Sequence, residues 1–163
     1  MCESTHSLIE KNLILDSNQR CVVIHGTHNT TVSENVAFRT AGHCFMTEDG
    51  GEMDNHFVGN IGALTRAAGR TVRAGETDST GPSTFWISNP NNHFVGNVAA
   101  GSEANGFWFE LQTSVKYPSS SFDWAKGMNP RMFPLATFKD NVAHSNWRTG
   151  FREYFVWGRL HFW

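Results

Sequence analysis

Short apolar runs punctuated by polar corners recur along this chain in a fixed order. The stretch Asn55-His56-Phe57-Val58-Gly59-Asn60 returns letter for letter as Asn92 to Asn97. Aligning on its last asparagine brings out two further copies, VSENVAF around Asn35 and FKDNVAH around Asn141. Three positions before each anchor stands an apolar residue, Val32, Phe57, Phe94 or Phe138. Directly after it comes Val36, Ile61, Val98 or Val142, and then a small residue, Ala37, Gly62, Ala99 or Ala143. The anchors are 25, 37 and 44 residues apart. Apolar runs also precede most anchors: CVVIH (21–25), HCFMT (43–47) and TFWIS (84–88).

These runs are too short for helices, and no 3.6-residue period or leucine lattice is present. A unit of about 25 residues with short strands and a fixed corner asparagine predicts a parallel β-helix. Equivalent residues then stack about 4.8 Å apart. The anchor asparagines are expected to form an internal ladder, and the Val or Ile after each is expected in the core. The wider spacings predict two insertions, about 64–82 and 112–135, both rich in Gly, Ser, Thr and Pro. The expectation is one all-β domain over 1–163, of about four to five coils. The one segment with helical character is 120–128.

Composition narrows the function classes. A net charge of −2 gives no pull toward nucleic acid or anionic membrane. No apolar run approaches the roughly 18 residues of a membrane helix, so no direct membrane insertion is expected. The opening MCESTHSLIEKN lacks the pattern of a secretory signal. Three cysteines without a CxxC argue against a metal knuckle. Buried thiols and a Cys21–Cys44 disulfide both remain open. Asn29-Thr30-Thr31 fits the N-glycosylation sequon, a hint of an extracellular chain.

Candidate chemistry is sought just beyond each apolar strand that precedes an anchor, where polar groups from separate coils are brought together. Stacking is expected to align His25, Glu48, Asn89 and Glu110, with His43, Asp49, His28 and Asn92 nearby. Glu48 or Asp49 with Glu110, assisted by His25 and His43, could act as acid and base on a glycosidic bond. Carboxylates and amides could instead bind Ca²⁺, with Glu48 and Asp49 as the metal candidates. His25, His28 and His43 with an acid could hold a transition metal. Trp86 and Trp108 could stack on sugar rings, with Asn89, Asn92 and His28 as further substrate contacts. Glu76 and Asp78 could lean over this face, and the arginines of 66–73 could meet an anionic sugar. Each residue also has a plain reading as a turn, core or solvated-loop residue.

The segments RCVVIHGTHNTTV, GHCFMTEDG and STFWISNPNNHFVGNVAAGSEANGFWFEL resemble the β-helix region of a known family. That family holds the cell-migration-inducing hyaluronan-binding protein, the cell-surface hyaluronidase and fibrocystin-like proteins with G8 domains. The resemblance implies a right-handed parallel β-helix of the pectin-lyase-like type, within a large extracellular or cell-surface protein. It implies a glycosaminoglycan partner, hyaluronan binding or depolymerisation in some members, and a structural or adhesive role in others. No G8 domain precedes these motifs, and the aromatic YFVWGRLHFW at 154–163 does not continue the repeat. The chain therefore reads as a piece of a larger protein, with the rest of that parent as a neighbour.

Overall fold

The computed structural model describes residues 4–153. Cys2 and the aromatic stretch 154–163 lie outside the described residues. Five coils each contribute one strand to each of three five-stranded parallel sheets, which makes the chain a parallel β-helix. The first sheet stacks Leu8–Glu10, Thr31–Ser33, His56–Val58, His93–Val95 and Thr137–Lys139. The second stacks Leu13–Leu15, Val36–Phe38, Ile61–Ala63, Val98–Ala100 and Val142–His144. The third stacks Val22–Ile24, Phe45–Thr47, Ser83–Ile87, Asn105–Phe109 and Thr149–Glu153. A short pair, Ser4–Thr5 with Thr27–His28, closes one corner.

Strand alternation decides which side chains form the core. In the three-residue strands of the first sheet only the middle residue points inward, giving the row Ile9, Val32, Phe57, Phe94, Phe138. The Phe57 and Phe94 rings stack at 4.7 Å. On the third sheet Val22, Phe45, Phe85, Phe107 and Phe151 form the facing row. The second sheet contributes Ile14, Ala37, Gly62, Ala99 and Ala143 inward. From the second coil on it must be small there, because phenylalanines opposite fill the space, whereas the first coil, with Val22 opposite, takes Ile14. A Cβ on Gly62 would stand 2.1 Å from Thr84 Cγ2. The Val or Ile after each anchor is therefore not core. Val36, Ile61 and Val142 are 38%, 41% and 50% exposed, because they flank the inward middle residue and face out.

The anchor asparagines form a ladder one rung longer than the repeat alone indicates. Asn12, Asn35, Asn60 and Asn97 each donate Nδ2–H to Oδ1 of the next, ending at Asn141, at 2.9–3.0 Å. The same oxygen accepts the preceding asparagine's main-chain N–H. The second Nδ2 proton goes to a main-chain carbonyl, Val32 in the case of Asn60. The first asparagine of the repeated phrase makes its own rung, Asn55 to Asn92 at 3.0 Å. Residues just before the ladder, among them Glu34, Gly59, Gly96 and Asp140, all have positive φ. That corner conformation is the one glycine adopts without strain, hence the Gly inside the repeated phrase.

Two long connections, 64–82 and 110–136, fold back over the third sheet. The second contains 3-10 turns at Ser119–Ser121, Asp123–Ala125 and Pro130–Met132, not an α-helix over 120–128. Gly127, at φ 71°, and Pro130 interrupt any helical run there. Cys21 and Cys44 form a disulfide that staples the first coil to the second.

Candidate functional site

The outer face of the third sheet is built from residues that alternate with its core row. Val23, Met46, Trp86, Trp108 and Arg152 form that outward row in register. One residue beyond the inward Ile24, Thr47, Ile87 and Phe109 stand His25, Glu48, Ser88 and Glu110. The ladder bonds Glu48 N–H to Ile24 O and Glu110 N–H to Ile87 O continue this register. Ser88, not Asn89, is thus the third member of the row. Asn89 lies one position further, where its amide bonds Gly50 O at 2.8 Å and caps Asn91 N–H at 2.9 Å.

His25, Glu48 and Asp49 converge. Glu48 accepts a short hydrogen bond from His25 Nδ1. The His25 Nε2 lies 3.8 Å from Asp49 Oδ2, and the imidazole remains one-third exposed while both carboxylates are buried. Behind them Arg20 is buried and forks across three acids. It meets Glu48 at 2.6 Å, Asp78 through two bonds of 3.2 Å, and Glu76 in a short contact. Arg73 pairs with Asp49 at 2.6 Å, and Asp49 also accepts Ser119 Oγ–H at 2.6 Å. Both insertions are pinned here: Arg73, Glu76 and Asp78 come from the first, Ser119 from the second.

Burial and pairing oppose each other at these groups. Burial works to raise the Glu48 pKa, but its bonds to His25 and Arg20 outweigh that and hold it below the usual carboxylate range. Asp78 is likewise held low, the Arg20 bond overcoming burial. Burial works to lower the Arg20 pKa, and its bonds to Asp78 and Glu48 turn the net shift upward. Glu76 goes the other way: burial and the nearby Glu48 and Asp78 charges raise it despite Arg20. Glu52 is buried beneath the turn, where it accepts the N–H groups of Gly26, Asp49 and Gly50. Burial pushes its pKa up to about 7.

The other expected site residues are dispersed. His43 is fully buried, its Nδ1 accepting from Ser83 N–H at 3.1 Å and its ring 4.0 Å from that of Trp86. Burial lowers its pKa to about 3, so it is a neutral packing residue and does not reach the His25 cluster. His28 accepts Met53 N–H at 3.2 Å and meets the Trp124 ring edge-on at 4.6 Å. Asn92 is buried on its ladder rung. Glu110 accepts from Gln112 at 3.4 Å. It lines a cleft of about 290 Å³ with Gly75, Thr77, Trp86, Trp108 and Arg152. The Arg152 guanidinium lies 3.9 Å above the Trp108 ring, which covers the face a sugar would need. Glu48 and Glu110 share a row two rungs apart, or ~10 Å along the axis. Glu48 has both oxygens engaged, so the two do not form a closely facing pair of free carboxylates.

Among the described residues, His25, Glu48 and Asp49 offer one ligand atom each within 4.8 Å of one another. The imidazole nitrogen departs from the all-oxygen set that Ca²⁺ takes and suits a first-row transition ion better. Arg20, Glu52, Ser119 and Arg152 are further members of this region that the repeat pattern does not mark. Arg20 abuts the CVVI run but has no counterpart in other coils, and Ser119 arrives from an insertion without any repeat to register it.

The family model for the CEMIP β-helix matches residues 1–151. The chain is 32% identical to human "Cell surface hyaluronidase CEMIP2" over 154 residues, 82% of this chain and 11% of that protein. It is 34% identical to the human "Cell migration-inducing and hyaluronan-binding protein" over 153 residues, 80% of this chain and 11% of that one. Mouse "Fibrocystin-L" is 32% identical over 152 residues, 91% of this chain and 3% of its own length. The chain thus spans about a tenth of the length of the first two curated relatives.

Proposed function

The chain belongs to the CEMIP β-helix family, and from that premise we propose that it is a β-helix segment of an extracellular protein that binds and depolymerises a glycosaminoglycan of the hyaluronan class. The observation that carries this reading is the His25–Glu48 pair, a one-third exposed imidazole held by a buried carboxylate at the edge of the third sheet. Glu48 fixes the ring through Nδ1, which leaves Nε2, 3.8 Å from Asp49 Oδ2 on a one-third exposed ring, as the nitrogen that can exchange a proton with a glycosidic oxygen. Arg73, a quarter exposed and bonded to Asp49 and to Tyr117 O, adds a positive charge beside it that favours an anionic sugar. The printed names of two relatives, a hyaluronidase and a hyaluronan-binding protein, support the substrate class.

A second reading is a non-catalytic structural or adhesive module. It is favoured by the number of polar residues used inside the solenoid, namely Asn89, Asn92 and His43, and by the match to Fibrocystin-L. The test is hyaluronan size analysis with the full-length parent and its His25→Ala and Glu48→Gln variants. Loss of chain shortening with retained binding is expected. Equal shortening by wild type and both variants removes the catalytic reading, and no binding by the wild type removes both carbohydrate roles.

A further inference from the structure

One motif has no part in the site just described. Of all the asparagines in the chain only Asn29 is followed, two residues on, by a hydroxyl residue, Thr31. We propose that Asn29 is a site of N-linked glycosylation, carrying an oligosaccharide on its side-chain nitrogen.

The fold separates Asn29 from the ladder asparagines of the solenoid interior. Asn35, Asn55, Asn60, Asn92 and Asn97 are buried, with their amides bonded inside the solenoid. Asn29 is exposed, at the corner between Thr27–His28 and Thr31–Ser33, with φ 52°. The corner is held by main chain: Asn29 N–H bonds Met53 O at 3.3 Å. Its side chain therefore does no internal work. Its Nδ2 meets His6 Nε2 at 2.8 Å, a contact between two exposed residues. The corners stacked on either side, His6 and Asp54, also have positive φ and exposed side chains, so this column points to solvent on consecutive rungs. Thr31 belongs to the outward row of the first sheet, with Leu8, His56, His93 and Thr137. A surface corner of this kind is where an acceptor sequon is expected.

The disulfide is an independent observation pointing to the same compartment. Cys21 and Cys44 bracket Asn29 in sequence and are joined. Disulfides form and persist in the secretory pathway and outside the cell, where N-linked glycans are added and kept.

The transfer balances simply. The Asn29 amide nitrogen bonds to the anomeric carbon of a lipid-diphosphate-linked oligosaccharide. The bond from that carbon to the diphosphate oxygen breaks, the lipid diphosphate leaves with the electron pair, and the amide gives up one proton.

The test uses the full-length parent expressed in cultured animal cells. Cell lysate and medium are both digested with trypsin, and the peptide spanning 21–39 is followed by mass spectrometry. The wild-type peptide is expected to carry a hexose and N-acetylhexosamine mass. Peptide N-glycosidase should remove it and leave Asn29 deamidated. Thr31→Ser should keep the modification, while Thr31→Ala and Asn29→Gln abolish it. An unmodified wild-type peptide overturns the proposal, as does a glycan that persists in Asn29→Gln. The wild-type measurement stands even where a variant folds poorly.

Discussion

Arg20, on the first coil, and Asp78, in the insertion 64–82, are joined by two buried hydrogen bonds of 3.2 Å. The pair ties a loop of the third coil to the start of the solenoid and completes the cage around Glu48. Removing the arginine leaves Glu48, Glu76 and Asp78 buried without their cation. Breaking a buried ion pair from one side costs about 3–5 kcal/mol. Arg20→Met is expected to lower the urea midpoint accordingly and to expose 64–82 to protease. Arg20→Lys should recover only part of the loss, because one ammonium cannot fork across three acids. Wild-type stability in Arg20→Met would show that the cage contributes nothing.

The asparagine ladder makes a second, separable prediction. Asn60 donates to Asn97 and to Val32 O while its Oδ1 serves Asn35. Asn60→Ala leaves buried donors of Asn35 and the carbonyl of Val32 unmatched, at about 1–3 kcal/mol each. Asn12→Ala, at the exposed end of the ladder, should cost much less. Equal midpoints for the two variants in urea unfolding would contradict the ladder as an energetic unit.

The repeat was legible because stacking imposes it. Phe57 over Phe94 and Asn60 over Asn97 must match on every rung, so the period is written in the sequence. The side of the sheet was harder to read. Ile61 is apolar and Gly62 is not, yet Gly62 is inside, because the width between facing sheets and not hydropathy selects the residue there. The site was legible where it belongs to the repeat. His25 and Glu48 were found by counting from the anchors, with Asp49 beside them. Arg20, Ser119 and Arg152 were not. Arg20 and Ser119 reach the site through corners or insertions that occur once, and Arg152 replaces an aromatic in the row of Trp86 and Trp108.

The narrow waist at Gly62 can be tested by its own remedy. A methyl group there would meet Thr84 Cγ2 at 2.1 Å, deep in the core. Overpacking of this kind costs about 1–3 kcal/mol. Gly62→Ala should be destabilising, and adding Thr84→Ser, which removes Cγ2 but keeps the hydroxyl that meets Thr65 at 2.9 Å, should restore much of the loss. Additive penalties in the double variant would mean that the two side chains do not compete for this space.

Two buried groups predict opposing pH slopes. His43 has its pKa lowered by burial from 6.5 to about 3. The unfolded chain takes up this proton and the folded chain does not, so stability is lost as pH falls from 6.5 toward 3. Glu52 has its pKa raised by burial from 4.5 to about 7. Here the folded chain keeps a proton that the unfolded chain has released, so stability is lost as pH rises from 4.5 to 7. Each slope is at most about 1.4 kcal/mol per pH unit. They oppose one another between 4.5 and 6.5, giving a broad maximum there. Below it the lowered Glu48 and Asp78 steepen the acid limb. Urea midpoints measured from pH 3 to 8 should separate the two. His43→Asn keeps an acceptor for Ser83 N–H and should flatten the acid limb. Glu52→Gln should reduce the decline approaching pH 7, leaving the smaller part that the raised Glu76 contributes. A profile that keeps both limbs in both variants assigns the pH dependence to other groups.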